Sequence, residues 1–210
     1  VFNLYNSLFL TLKSYKSMLK RGKRMLKKRE LQDAHTLYNL MIHPDVFPYV
    51  RYKANSYYEF LLITKEIIES ELRREMISRT IVDEWGAPIG TINLYDIQEN
   101  TGFLGTWLGK PYHGKGYNQL AKEAFFNELF FECGIETIYM KIRTTNIRSQ
   151  KAAEKLPYVI FANEIRKSLL EEINVNGELY NLYEIPKDLF TLHVLRSNDT
   201  EDGSSQLLEA

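Results

Sequence analysis

The sequence predicts an α/β (α+β) fold with a single mixed sheet of about six to seven strands. Short apolar runs and helical patterns alternate in the order β, α, α, β, β, β, α, β, α, β, β. A turn-like segment, Glu84–Ala87, joins two apolar runs, which indicates antiparallel pairing. A glycine-bearing loop, Gly109–Asn118, lies between a strand and a helix, which is typical of a parallel β-α-β unit. The sheet is therefore expected to contain both kinds of pairing.

Helix caps and breakers define the elements of the N-terminal half. Leu26–Leu31 has the pattern of a short strand, and Asp33 is a residue type that caps helices, here Ala34–Ile42. Pro44 follows this helix, and the residue before a proline resists the α conformation. Ser56 can cap a second, longer helix that runs to about residue 75.

Three strands are predicted next, and they form a meander. They are Met76–Asp83, Pro88–Ile97 and Phe103–Leu108. After the glycine-bearing loop, the helical pattern from Gln119 continues to Cys133 and ends at Gly134. Glycine is favoured there because the residue after a helix end often adopts the left-handed conformation.

The C-terminal part is predicted to contain one strand, one helix and a closing hairpin. The strand is Ile135–Ile142, and the helix Asn146–Leu156 stops before a proline. Asn-Gly is the strongest two-residue turn signal, so residues 176–177 predict a hairpin. Its strands would be Ser168–Val175 and Glu178–Ile185.

Length and composition indicate one globular domain with tails. The chain has 210 residues, of which 44% are hydrophobic and 26% are charged. We expect the domain at residues 25–190, a basic extension at 1–24 and a loosely held polar tail at 191–210. The sequence contains no uninterrupted run of about 18 apolar residues, so no transmembrane helix is predicted.

The charge is unevenly distributed, although the net charge is zero. Residues 1–29 carry nine Lys/Arg and no acidic residue, which leaves eighteen basic against 27 acidic residues in the remainder. Global charge therefore does not indicate a nucleic-acid partner, but a basic segment can contact a membrane surface or RNA. The single cysteine, Cys133, excludes an internal disulfide and fits a reducing, cytoplasmic compartment. We expect it to be a packed thiol rather than a catalytic one.

The loop Gly109–Asn118 is suited to bind phosphate. Glycines let backbone N–H groups approach a ligand, and a helix N-terminus attracts negative charge. The loop matches GxxxxGK, but Gly116 stands where a nucleotide-binding loop needs Ser or Thr for magnesium. A dinucleotide fingerprint fits less well, because its third glycine would be Gln119. No His, Cys or Asp cluster has metal-ligand spacing, so no metal is expected.

The loop also resembles a family motif that binds the pyrophosphate of coenzyme A. The segment from His113 to Asn118 resembles the Q/R-x-x-G-x-G/A motif of the Gcn5-related N-acetyltransferases (GNAT), with His113 and Asn118 as departures. Asn146-x-x-Ser149-x-x-x-x-Glu154-Lys155 resembles a second segment of the family. The resemblance extends from about residue 26 to 190 and is closest to the ribosomal-protein alanine acetyltransferases (RimJ/RimL-like). It implies a strongly twisted sheet with helices on both faces.

The resemblance also implies roles for particular residues. Acetyl-CoA would be the cosubstrate, the Leu108 backbone N–H would stabilise the thioester oxyanion, and Ser149 would protonate the leaving thiolate. The family tyrosine seven residues after Asn146 is absent, because Ala153 stands there. The residues expected to bind the cofactor are Trp107, Leu108, His113, Gly114, Lys115, Gly116, Tyr117, Asn118, Asn146 and Ser149.

The general base and the acceptor pocket are left open by the sequence. The candidate carboxylates are Glu59, Glu66, Asp96 and Glu99. Four tyrosines in the region of the family's acceptor pocket are either pocket residues or core and surface residues. They are Tyr49, Tyr52, Tyr57 and Tyr58.

The main hypothesis is an acetyl-CoA-dependent N-acetyltransferase in which a primary amine attacks directly in a ternary complex. The amine would be a protein N-terminus or a small molecule. The alternatives are a non-catalytic acyl-CoA-binding regulatory module and a protein that contacts a membrane or RNA through its basic extension. A homodimer is left open.

Overall fold

The computed structural model describes residues 25–175 and 177–205, with side chains described up to residue 196. The predicted basic extension at 1–24 lies outside these residues, as do Asn176 and residues 206–210. The chain separates into two compact units, whose described parts are residues 25–135 and 136–205. In the described part of the chain, no helix is long and apolar enough to cross a membrane.

The first unit contains four strands in the order β1-β2-β3-β4, with every neighbouring pair antiparallel. They are β1 (Leu26–Lys28), β2 (Ile77–Val82), β3 (Pro88–Gln98) and β4 (Thr101–Leu108). Residues 83–87 connect β2 to β3, so the predicted hairpin is confirmed. Asp83 stabilises this turn, because its Oδ1 accepts hydrogen bonds from the backbone N–H groups of Trp85 and Ala87.

Two helices of the first unit enclose a cluster of buried apolar side chains. They are α1 (Ala34–Met41) and α2 (Tyr57–Leu72). Their apolar faces bury Leu37, Met41 and Phe60 almost completely. Each such side chain contributes roughly 1.5–3 kcal/mol when it is removed from water, so burial of these faces, more than helix propensity, stabilises the pair.

The predicted caps of these helices have different outcomes. Ser56 caps α2 as expected, since its Oγ accepts a hydrogen bond from the Glu59 N–H at 3.1 Å. Asp33 does not cap α1 with its side chain. Its Oδ1 instead accepts from Lys27 Nζ at 2.9 Å, because Asp33 lies in a preceding 3₁₀ turn with helical dihedral angles. A capping side chain needs an extended backbone at that position.

The third helix, α3 (Tyr117–Asn127), continues into a π-helical turn, Glu128–Glu132, and ends before Gly134 at φ +73°. The wider turn carries Glu128, whose carboxylate forms an ion pair with Arg79 of β2. Arg79 also donates to Glu71 of α2 at 2.6 Å. Arg79 therefore ties a strand to two helices. Burial alone lowers its pKa, but the two carboxylates outweigh this effect and raise it.

Cys133, just after this turn, is exposed, so the expectation of a packed thiol is wrong. The apolar run before it does not bury it because the π turn changes the helical phase at its end. Phe130 faces the core and Phe131 is exposed.

The second unit contains three strands in the order β5-β7-β6, all antiparallel. They are β5 (Thr137–Arg143), β6 (Ile160–Phe161) and β7 (Tyr180–Pro186). Its helices are α4 (Ile147–Glu154), α5 (Lys167–Ile173) and α6 (Lys187–Ser205). Beyond the two-residue strand β6, the side chain of Asn163 bonds to β7. Its Oδ1 accepts from the Leu182 N–H at 2.8 Å, and its Nδ2 donates to Asn181 Oδ1 at 3.0 Å.

The hairpin predicted for residues 168–185 is wrong, because its first strand is helix α5. Leu169, Leu170 and Ile173 are the half-buried apolar residues of this segment, and their spacing is helical rather than alternating. Asn174 closes the loop that follows. Its Oδ1 accepts from the Tyr180 N–H at 2.8 Å. The partners of β7 are β5 and β6, so β7 does not pair with residues 168–175.

The segment after Phe190, expected to be loosely held, continues α6 to Ser205. Phe190 and Val194, one helical turn apart, are buried. Phe190 lies edge-on to Tyr158, with 5.1 Å between ring centroids. The buried Val194 shows that the helix remains packed for at least one turn beyond Phe190.

Replacing Phe190 with alanine should lower the free energy of unfolding by about 3–5 kcal/mol, because a fully buried ring is removed. Leu192→Ala on the same helix should cost less than about 1 kcal/mol, since Leu192 is 47% exposed. Urea denaturation measures both. Equal effects of the two substitutions would contradict the packing of α6 described above.

Candidate active site

The loop between β4 and α3 has a conformation that only glycine adopts easily at two positions. A 3₁₀ turn, Lys110–Tyr112, follows the end of β4. Gly114 and Gly116 then have φ angles of +75° and +83°. A Cβ atom on either glycine would meet no atom within 4 Å, so the requirement comes from the backbone conformation rather than from crowding. Gly116 occupies the N-cap position of α3.

Five consecutive backbone N–H groups of this loop are not used by the described part of the protein. They belong to Gly114, Lys115, Gly116, Tyr117 and Asn118, and none of them donates to a protein acceptor there. Gly116 provides no side chain to cap the helix. A run of N–H donors at a helix N-terminus is chemically suited to the oxygens of a phosphate or pyrophosphate.

The side chains of the loop hold its shape. Tyr117 Oη donates to Glu84 Oε2 at 2.5 Å, and Thr106 Oγ1 donates to Asn118 Oδ1 at 3.3 Å. His113 Nε2 lies 2.9 Å from the Leu108 carbonyl oxygen, to which it can donate. These contacts give His113 and Asn118, the departures from the family motif, a positioning role within the loop.

The two lysines of the loop differ in their partners. Lys110 forms an ion pair with Asp45 from the α1–α2 connection, and this contact lowers the pKa of Asp45. Lys115 is exposed, and its Nζ lies 5.9 Å from the centre of the Tyr112 ring. Lys115 forms no ion pair within the described residues.

At the end of β4, the backbone N–H and C=O of Leu108 point away from β3. Gly109 N–H donates to the Ile89 carbonyl at 2.8 Å, which marks residues 89 and 109 as a hydrogen-bonded pair. Such pairs alternate along an antiparallel ladder. Trp107 is therefore hydrogen-bonded to Thr91, whereas Leu108, opposite Gly90, directs its N–H and C=O to the other side. Leu108, the expected oxyanion donor, therefore has the backbone orientation that this role requires. The half-buried Trp107 side chain packs on the α1–α2 cluster.

Asn146 and Ser149 lie in the second unit, adjacent to each other at the start of α4. Asn146 Oδ1 accepts from the Ser149 N–H at 3.2 Å, so Asn146 is the N-cap of this helix. The Asn146 Nδ2 group and the Ser149 hydroxyl make no hydrogen bond within the described residues. Capping and ligand binding are thus compatible, since each uses a different atom of the Asn146 amide.

The four candidate carboxylates have different surroundings. Glu59 Oε2 accepts from the Asn55 N–H at 2.7 Å, and Glu66 is paired with Arg73 at 2.7 Å. Glu99 lies in the tight turn between β3 and β4 with φ +46°. Asp96 is exposed at a β-bulge, with φ +52°. In the described residues, no group of three His, Cys, Asp or Glu side chains can hold a metal ion.

Of the four tyrosines expected near the acceptor, Tyr49, Tyr57 and Tyr58 are exposed and Tyr52 is half-buried. A feature not anticipated from the sequence lies beside Tyr52. The Arg51 guanidinium stacks on the ring of Tyr95, 3.7 Å from its centre. Tyr95 is on a strand, and nothing in sequence spacing indicates that it meets a residue of the α1–α2 connection.

Comparison with known proteins supports the same family over most of the chain. The family model described as "Acetyltransferase (GNAT) domain" matches residues 24–159. No curated protein sequence matches the chain.

Solved structures similar to this chain include RimL, a ribosomal L7/L12 alpha-N-protein acetyltransferase, at 16% identity and a TM-score of 0.63. The match covers 77% of this chain and 88% of RimL. The ribosomal-protein-S5-alanine acetyltransferase from Vibrio fischeri matches at 17% identity with a TM-score of 0.61, and the match covers 78% of this chain and 92% of that protein. A chimera of the spermidine N-acetyltransferase SpeG from Vibrio cholerae matches at 14% identity with a TM-score of 0.62, and the match covers 79% of this chain and 96% of the chimera.

These likenesses confirm the predicted fold class. The family model covers well over half of the sequence, including the glycine-bearing loop and the Asn146–Ser149 segment. The chain therefore belongs to the GNAT family of N-acetyltransferases.

Proposed function

We propose that this protein transfers the acetyl group of acetyl-CoA to a primary amine by direct attack in a ternary complex. The observation that carries the proposal is the run of five N–H donors from Gly114 to Asn118. This run follows strand β4, in which the Leu108 N–H points away from β3. Membership of the GNAT family supports acetyl-CoA as the cosubstrate.

In the proposed mechanism, the loop amides bind the pyrophosphate of acetyl-CoA. Hydrogen bonds to charged groups contribute roughly 1.5–3 kcal/mol each, so several of them can anchor the cofactor. Asn146 Nδ2 would donate to the cofactor arm. The neutral amine attacks the thioester carbonyl, and the Leu108 N–H stabilises the oxyanion. The C–S bond then breaks, and the Ser149 hydroxyl protonates the departing thiolate. The amine loses its proton to water or to an unassigned base, and this proton, returned through water, restores the Ser149 hydroxyl.

The acceptor is proposed to be a protein N-terminus or a small-molecule amine. The names of similar proteins include both kinds of acceptor, a ribosomal protein and spermidine. The direct test is release of free thiol from acetyl-CoA over a panel of peptides, amino acids, polyamines and aminoglycosides. Turnover of any acceptor supports the proposal. Tight CoA binding with no turnover would instead favour the non-catalytic acyl-CoA-binding module. If the protein neither binds CoA nor turns over any acceptor, the enzyme and the binding-module hypotheses are both rejected.

Gly116→Val should weaken CoA binding at least about a hundredfold, because a β-branched residue strains a backbone at φ +83° and several amide contacts are lost together. Gly134→Val is the matched control, since Gly134 has φ +73° and open space at the other end of the same helix. Calorimetric titration with CoA measures both variants. Similar losses in the two would show that general strain, not the loop, is responsible.

Asn146→Asp should separate capping from ligand binding. The aspartate keeps the oxygen that accepts from the Ser149 N–H, so the free energy of unfolding should change by less than about 0.5 kcal/mol. The substitution removes the Nδ2 donor and adds a negative charge, so CoA should bind about tenfold more weakly. Asn146→Ala should lose both properties. Unchanged CoA affinity of the aspartate variant would restrict Asn146 to its capping role.

Ser149→Ala should lower kcat by about a hundredfold and leave CoA affinity nearly unchanged, because the hydroxyl acts on the leaving thiolate only as the bond breaks. Ser149→Thr retains a hydroxyl and should recover part of the rate. Steady-state kinetics at saturating acceptor measure this. A kcat that is the same in the alanine variant and the original protein would remove Ser149 from the mechanism.

A further inference from the structure

A stacked arginine distinguishes the face of the first unit that carries α1 and α2. Arg51, in the α1–α2 connection, lies with its guanidinium carbon 3.7 Å from the centre of the Tyr95 ring and 5.5 Å from that of Tyr52. Stacking on an aromatic face orients the planar guanidinium and leaves its N–H edge available. The Arg51 side chain remains 39% exposed.

Glycine in β4 allows this arrangement. Tyr95 is 5% exposed, and its ring lies over Gly105, where an added Cβ would be 3.1 Å from the ring. Gly105 is three residues before Leu108 on the same extended strand, which corresponds to about 10 Å. The Arg51 guanidinium, stacked on the Tyr95 ring, therefore lies over a part of β4 that is about three residues, or about 10 Å, from the backbone N–H that we assign to the oxyanion.

The Arg51 guanidinium has donors to spare. Within the described residues, its polar partners are the hydroxyls of Tyr52 and Tyr95, and its charged partner is Asp96, whose Oδ2 lies 3.5 Å away. That distance exceeds a normal N–H···O bond, and Asp96 is itself 54% exposed. A guanidinium carries five N–H donors, so an oriented, half-exposed guanidinium with these partners keeps N–H groups that can bind a carboxylate through two parallel N–H···O bonds.

We infer that Arg51 selects acceptor amines that carry a carboxylate about 10 Å from the reacting nitrogen. This inference rests on the proposed function, because the position of the amine is taken from Leu108. At about 3.3 Å per residue, the second or third side chain of an extended peptide reaches that distance from its α-amine. The favoured acceptor is thus a peptide N-terminus with an acidic residue at position two or three. A polyamine is disfavoured because it would bring positive charge to Arg51.

The test compares two peptide amides, Ala-Glu-Glu-Ala and Ala-Gln-Gln-Ala, which differ in charge and hardly in shape. Each is titrated by calorimetry into the protein saturated with CoA. The acidic peptide should bind at least about tenfold more tightly, as expected for charge-assisted hydrogen bonds. Arg51→Gln should abolish this preference. Arg73→Gln should preserve it, since Arg73 is an exposed arginine of the same unit that pairs with Glu66 and Glu75.

A second variant should act in the opposite direction. Asp96→Asn removes the carboxylate that competes for Arg51, so the acidic peptide should bind more tightly, by about threefold or more. Asparagine tolerates the left-handed conformation at φ +52°, so the bulge is retained.

Three outcomes would overturn the inference. They are equal binding of the two peptides by the original protein, a preference that survives Arg51→Gln, and no detectable binding of the acidic peptide at millimolar concentration. In each case, CoA affinity and thiol release with other amines report on the proposed function separately. Loss of CoA binding in the original protein would instead reject the proposed function.

Discussion

The antiparallel ladder between β3 and β4 is the constraint on which the first unit depends. Its last rung, Ile89 with Gly109, determines the phase of the ladder, and that phase directs the Leu108 backbone away from β3. The two strands approach so closely that a Cβ at Gly90 would lie 2.2 Å from the Trp107 carbonyl oxygen. A shift of one residue would exchange the roles of Trp107 and Leu108 and displace Tyr95 from Gly105.

In the glycine-bearing loop, the side chains and the backbone N–H groups have different roles. His113, Tyr117 and Asn118 bond to protein groups, so their side chains define the shape of the loop. The N–H groups of the same segment are left for a ligand. A loop whose shape is set before binding loses less conformational freedom when it binds. Residues that depart from a family motif can therefore preserve its geometry through different contacts.

Local signals in the sequence were sufficient for much of this fold. Ser56, the turn 83–87 and Gly134 act through neighbours in the chain, so their effects are visible in sequence. The Asn-Gly pair failed because the helical spacing of residues 169–173 outweighed its turn preference. Cys133 was misjudged because a π turn changes helical phase without a sequence signature. The contact between Arg51 and Tyr95 joins residues 44 positions apart and could not be foreseen. For the candidate site, the glycine-bearing loop was predictable from the sequence, whereas the side-chain hydrogen bonds that hold its shape were not.

The short strand β6 has a consequence for the behaviour of the protein at high concentration. A sheet edge with open N–H and C=O groups is a template on which other chains can add strands and aggregate. Next to β6, the Leu182 N–H is occupied by the side chain of Asn163, and the Leu182 carbonyl by the Ala162 N–H at 2.8 Å. An amide side chain has thus replaced a neighbouring strand. It satisfies the Leu182 N–H without extending the sheet, and so removes one donor on which another chain could add a strand.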